Sequence, residues 1–156
     1  MDLHPVTPKL KPLFRAVVEI AAPISVGMTP LGERRIIPIT GGHFEGERLA
    51  GTVLPGGADW QLVRADGSAL LEARYTLRTQ DGAFVYVRNR GVRSGPPDVL
   101  ARLRTGESVE PASYYFRTTP TFETGAPPYT WLNDLVAVCS AARAAHAVTL
   151  DFFAVR

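Results

Sequence analysis

Carboxylates, tyrosines and arginines recur together along the middle of the chain. Asp59, Glu72 and Glu123 are interleaved with Tyr75, Tyr86 and Tyr115 and with Arg74, Arg88 and Arg117. This set can move a proton through a carboxyl or a phenol and can hold an anionic oxygen on a guanidinium, with no metal or cofactor. Other chemistries lack their residues. His4, His43 and His146 share no ligand spacing and no HExxH pattern, so a zinc or iron site is not expected. His43, beside Gly41-Gly42 and two residues from Glu45, reads as a surface or hydrogen-bonded histidine before it reads as an acid or base. No glycine-rich phosphate loop and no GxSxG elbow is present, which sets aside nucleotide-loop and serine-hydrolase chemistry. Cys139 is the single cysteine and follows the apolar run Leu135 to Val138. It excludes an internal disulfide and reads as a small buried hydrophobe.

The elements that must carry these residues are short strands. From Phe14 onward, runs rich in Val, Ile, Thr and aromatics alternate with Gly, Pro and Asp punctuation. The runs are Phe14 to Ile20, Arg35 to Ile39, Leu49 to Leu54, Trp60 to Arg64, Leu70 to Arg78 and Phe84 to Asn89, and the stretch from Ala22 to Gly32 reads as a loop. Asp66-Gly67 and Asp81-Gly82 between such runs are hairpin signals. Pro97 to Arg104, with Pro at its start, arginines in its last turn and Gly106 beyond, predicts one short helix. Alanine-rich 136–147 carries helix propensity, but the β-like Val148 to Val155 that follows favours two strands joined near Ala144-Ala145. Pro5, Pro8 and Pro12 make 1–12 an extended arm, leaving 13–156 as one domain, a size in keeping with 156 residues. Many antiparallel strands with little helix predict an all-β, meander-type barrel, which can hold a small ligand at its mouth.

Composition narrows the partners. Hydrophobic residues make up 46% and charged residues 21%, and the net charge is +2. Lysine occurs only at Lys9 and Lys11, and arginines are scattered among acids, so no clustered stripe for nucleic acid is expected. The N-terminus lacks an apolar signal core, and no run approaches the ~20 residues of a membrane helix, so no membrane partner is expected and a reduced, cytoplasmic protein is.

Strand alternation sorts the candidate residues by face. Leu71, Ala73, Tyr75 and Leu77 oppose Glu72, Arg74, Thr76 and Arg78. Phe84, Tyr86, Arg88 and Arg90 oppose Ala83, Val85, Val87 and Asn89. The aromatic-arginine face of the second run, repeated at Tyr115 and Arg117, is expected to form a pocket wall. At the Pro55-Gly56-Gly57 corner, Asp59 and Trp60 must point to opposite faces unless a bulge intervenes, and Asp59 is expected inward.

Three blocks, GGHFEGERLAGTVLPGGADWQLVRADG, LEARYTLRTQDGAFVYVRNRG and YYFRTTPTFETGAPPYTWLN, resemble the DUF3237 family, also called UPF0311 proteins. The resemblance runs from about Gly41 to the C-terminus and includes Asp59, Trp60, Glu72, Arg88 and Glu123 at matching positions. It implies a compact antiparallel β-barrel and a soluble homo-oligomer, and supplies no reaction.

The leading functional expectation is an enzyme acting on a small aromatic or polyketide-like carboxylate or ketone by decarboxylation, isomerisation or cyclisation. Asp59 or Glu72 moves the proton, a tyrosine such as Tyr115 acts as acid, and Arg88 binds the anionic oxygen. Trp60, Arg74, Tyr75, Tyr86, Arg90, Arg117, Glu123 and Trp131 are expected to bind substrate. A non-catalytic barrel that binds a small ligand is the alternative, and a structural oligomer subunit with a filled barrel is the third. Acid and arginine side chains converging inside the barrel favour catalysis, whereas a purely apolar cup favours binding.

Overall fold

A computed structural model describes residues 1–156. Ten strands and one α-helix follow in order: β1 (Leu10–Ile20), β2 (Ile24–Thr29), β3 (Gly32–Glu45), β4 (Ala50–Val53), β5 (Ala58–Val63), β6 (Ala69–Thr79), β7 (Phe84–Ser94), α1 (Pro97–Arg104), β8 (Tyr115–Glu123), β9 (Ala137–Arg143) and β10 (Ala147–Val155). All pairings are antiparallel. The sheet runs β1-β10-β9-β8-β7-β6, then through β4 and β5 to β3, which pairs back onto β1. β4 and β5 act as one interrupted strand, since both bridge β3 and β6. Closure leaves eight positions around the barrel, with β2 a free-edged extension on β3.

Both Asp-Gly turns form the expected hairpins, with Gly67 and Gly82 at φ +85 and +87. At the Pro55-Gly56-Gly57 corner, Gly56 has φ +104, a conformation glycine adopts without a Cβ penalty. A Cβ on Gly57 would run into the Arg74 carbonyl of β6, so glycine lets β5 rejoin the sheet at full contact. The helix forms as expected over Pro97–Arg104, with Val99, Leu100 and Leu103 buried, and 136–147 supplies β9 and the start of β10.

One expectation is corrected. Residues 24–29, read as loop, form β2 on β3, with a bulge between Ser25 and Gly27. Gly27 takes φ +98 there, and its glycine signal hid the alternation of Ile24, Val26 and Met28. The end of the N-terminal arm also joins the sheet, since Leu10 to Pro12 pair with Phe153 to Val155 of β10.

The core has two halves. Toward the N-terminal end of β1, Phe14 stacks on Phe152 at 4.3 Å and meets Phe44 and Phe122 at 5.4 and 5.8 Å. These four rings come from β1, β3, β8 and β10 and plug that half of the barrel. The other half is not filled.

Candidate functional site

The unfilled half holds a cavity of about 60 Å³, walled largely by aliphatic side chains such as Ile37, Ile39, Leu71 and Leu150. Its polar groups share one origin: each is an inward-facing position of a strand. Asp59 and Gln61 come from β5, Tyr75 from β6, Asn89 and Arg93 from β7, Thr118 from β8 and Arg143 from β9. Asp59 pairs with Ala73, and Ala73 with Asn89. The small alanine therefore sits between an acid and an amide whose Cα atoms are about 10 Å apart across two strand spacings. Ala73 is the reason for a notch there. Ala73→Leu is expected to fill it and to change stability by no more than about 1–3 kcal/mol, which denaturant unfolding of the variant beside wild type checks.

Asp59 is 8% exposed. One carboxylate oxygen accepts the Glu72 backbone N–H at 2.9 Å, and the other accepts the Gln61 amide at 3.4 Å. Burial pushes its pKa up to about 6, with those hydrogen bonds and the Arg93 and Arg143 charges holding back part of the rise. Arg93 is pushed down to about 10, first by burial and then by Arg143, while it rests 5.6 Å from the Phe116 ring. Arg143 is lowered by burial and by Arg35, and Arg35 by burial and by Arg104. None of Arg35, Arg93 and Arg143 has a carboxylate within ion-pair distance. Three guanidiniums thus surround one carboxyl, and buried charges ordinarily find partners.

Five buried side-chain atoms lack a hydrogen bond: Gln61 Oε1, Tyr75 Oη, Asn89 Oδ1, Thr118 Oγ1 and Arg143 Nε. All five belong to residues that line this cavity. Unpaired polar atoms in a folded interior are uncommon, and here all five are gathered around one space, whose wall is therefore polar at several points. Tyr75 is also raised by burial, so its phenol stays protonated as a donor. The Cys139 thiol is pushed up to about 12 by burial, which removes it as a nucleophile. No three His, Cys, Asp or Glu side chains are grouped as a metal site.

A second space lies beside α1. A recess lined by Arg35, Arg93, Leu100 and Arg104 adjoins the helix, and Arg104 at the helix end pairs with Glu33 of β3 at 2.7 Å. Arg93 lines both this recess and the cavity, so its side chain is the wall between them.

Of the residues singled out from the sequence, the structure brings only Asp59 and Tyr75 to the cavity. Glu72, Arg74 and Arg88 form a cluster on the outer surface, with Glu72 at 3.0 and 2.9 Å from the two arginines, and those arginines hold its carboxyl below the usual range. Trp60, Tyr86, Tyr115, Arg90, Arg117 and Glu123 are exposed on the same outer face, and the Arg117 guanidinium lies 5.4 Å from the Tyr115 ring. Trp131 carries the Arg48 guanidinium 3.7 Å above its ring. On β7 alternation holds, with Val85, Val87 and Asn89 facing into the barrel, while Arg74, Tyr86, Arg88 and Glu123 line a separate open recess on its outer face. Sequence reasoning missed Arg35, Gln61, Arg93, Thr118 and Arg143. The usable signal was polarity at the inward parity: Gln61 follows Asp59 by two, and Arg93 follows Asn89 by four.

Fold and site define a small closed antiparallel barrel with an acid–arginine cavity in one half. The chain belongs to the family described as "Protein of unknown function (DUF3237)", whose model matches residues 8–155. A UPF0311 protein of Rhodopseudomonas palustris is 48% identical over 147 residues, covering 93% of this chain and 96% of that protein. A UPF0311 protein of Clostridium acetobutylicum is 42% identical over 142 residues, 90% of each. Among solved structures, a β-barrel-like protein of Acinetobacter baumannii superposes with TM-score 0.88 at 43% identity, covering 99% of this chain and 100% of its own. A protein described as an enzyme from Penicillium herquei shares the fold at TM-score 0.74 and 21% identity, covering 100% of both chains. No helix is long and apolar enough to cross a membrane.

Proposed function

We propose that this chain is a cofactor-independent enzyme that carries out acid–base chemistry in the barrel cavity on a small aromatic or polyketide-like carboxylate or ketone. The observation behind the proposal is Asp59, a buried carboxyl with its pKa raised to about 6 and set among arginines that have no carboxylate partner. A carboxylate in that range is ionised near neutrality yet basic enough to take a proton from carbon beside a carbonyl. The electron pair then moves to the carbonyl oxygen, and Arg93 and Arg143 meet the developing oxyanion. The sequel decides the product. In an isomerisation Asp59 returns the proton to a different carbon, and in a cyclisation the enolate carbon attacks an internal carbonyl whose oxygen takes up the displaced pair and the proton. A decarboxylation instead starts from protonated Asp59: the breaking C–CO2− bond supplies the electron pair to the carbonyl, and Asp59 then protonates the enolate carbon. Aliphatic walls keep bulk water from quenching the intermediate. The Penicillium herquei protein of this fold is described as an enzyme, and the proposal extends that word to this chain.

The test is solvent exchange. Protein in D2O is mixed with a panel of small aromatic and keto acids and ketones, and deuterium entry beside the carbonyl is followed by proton NMR. Wild type is expected to exchange or convert at least one member, and Arg143→Met to lose about 100-fold or more in rate. Saturable binding with no exchange supports the non-catalytic barrel instead. Equal rates in wild type and Arg143→Met contradict the proposal.

A further inference from the structure

Arginine excess explains an anionic oxygen on the ligand, but it leaves the other orphaned groups unassigned. Gln61 decides what they want. Its Nε2 donates to the Asp59 carboxylate at 3.4 Å, and this fixes the amide orientation, because a carbonyl turned toward a carboxylate would be repelled. Gln61 Oε1 is therefore committed to the cavity as an acceptor, is fully buried, and has no donor. Asn89, 3% exposed, faces the same space from across the Ala73 notch with an amide that no hydrogen bond orients, so it can turn either Oδ1 or Nδ2 to a guest. Neither a carboxylate nor a ketone can satisfy an acceptor. A guest with only those groups that displaced water from the cavity would leave the Gln61 carbonyl unpaired, at the desolvation cost of that group.

We infer that the substrate of this cavity is a hydroxylated carboxylic acid, with its carboxylate on Arg93 and Arg143 and at least one hydroxyl donating to Gln61 or Asn89. This rests on the acid–base reading above and narrows its substrate class. The unpartnered hydroxyls of Thr118 and Tyr75 can serve either end, since each donates and accepts. A ligand hydroxyl that takes the place of a water on such a group keeps the hydrogen-bond count. The space, about 60 Å³, favours a compact acid.

Matched probes isolate the hydroxyl. Dissociation constants for butanoate against 3-hydroxybutanoate, and for benzoate against 3-hydroxybenzoate, are measured on the intact wild-type chain by NMR titration. The hydroxylated member of at least one pair is expected to bind about tenfold or more tightly, because its partner strands a buried acceptor. In Gln61→Leu or Asn89→Leu the ratio of affinities within a pair is expected to fall toward one, whatever the change in affinity for the parent acid. Equal affinity within both wild-type pairs overturns the inference and leaves the carboxylate reading standing if Arg143→Met weakens all four acids. A preference that survives in both leucine variants also overturns it, since another group then reads the hydroxyl. Failure of all four acids to bind wild type removes the inference and the carboxylate reading together. The wild-type comparison needs no variant to fold.

Discussion

Asp59→Asn is expected to lose about 10²–10⁴-fold in proton-transfer rate and at the same time to gain stability at alkaline pH. Both follow from one shift. In the unfolded chain this carboxyl gives up its proton at an ordinary value near 3.8, whereas in the fold it holds on to about 6. The folded state therefore binds the extra proton between those values, and the stability this contributes is present below about pH 4 and lost as pH rises through about 6. Above that point the buried charge costs about 3 kcal/mol relative to its protonated form. Asparagine carries no such cost. Its Oδ1 still accepts the Glu72 N–H, and its amide nitrogen can donate to the Gln61 oxygen if that side chain turns over. Urea unfolding at about pH 8 should show the variant more stable by about 1–3 kcal/mol, with the gap closing toward about pH 4. A variant less stable than wild type at both pH values would show that Asp59 holds the fold together and is not kept for chemistry.

Phe152→Ala is expected to have the largest effect on the fold, about 3–5 kcal/mol. Phe152 is 1% exposed, stacks on Phe14 at 4.3 Å and lies 6.0 Å from Phe122. Its removal leaves a hole between strands whose positions the barrel closure fixes, so collapse around it is limited. The melting temperature should fall by about 10 °C or more. Because the aromatic plug occupies the half of the barrel away from Asp59, carboxylate binding by the folded fraction should stay within about threefold of wild type. A loss of binding without a loss of stability would mean that the two halves are coupled.

Much of this architecture is written in local residue choices. The Asp-Gly turns, the proline-started helix and the Gly-Gly corner each require a particular backbone, and each appears where expected. Alternation from that corner also puts Asp59 inside and Trp60, at 40% exposure, outside. The site was less legible, for a physical reason. Alternation gives two faces of a strand without saying which one looks inward, and on β7 the aromatic-arginine face has the composition of a binding wall. The inward answer depends on how the sheet closes, with β1 pairing both β3 and the far C-terminal β10, which alternation along one strand does not encode. Arg35, Arg93 and Arg143 were hidden for a related reason. A lone arginine on a strand is ordinarily solvated, and only the closed barrel shows three of them converging on one carboxyl.

The central claim is that Asp59 is a buried, anomalously basic carboxyl in an anion-receiving cavity, and its own titration measures that most directly. The carboxyl carbon of Asp59 is followed by NMR in 13C-aspartate-labelled protein, assigned by its absence in Asp59→Asn, across about pH 3 to 8. A midpoint near 6 that moves upward when butanoate is added is the expected result, because a second anion beside the carboxylate disfavours its charged form. A midpoint near the ordinary aspartate value, unchanged by butanoate, would contradict the account.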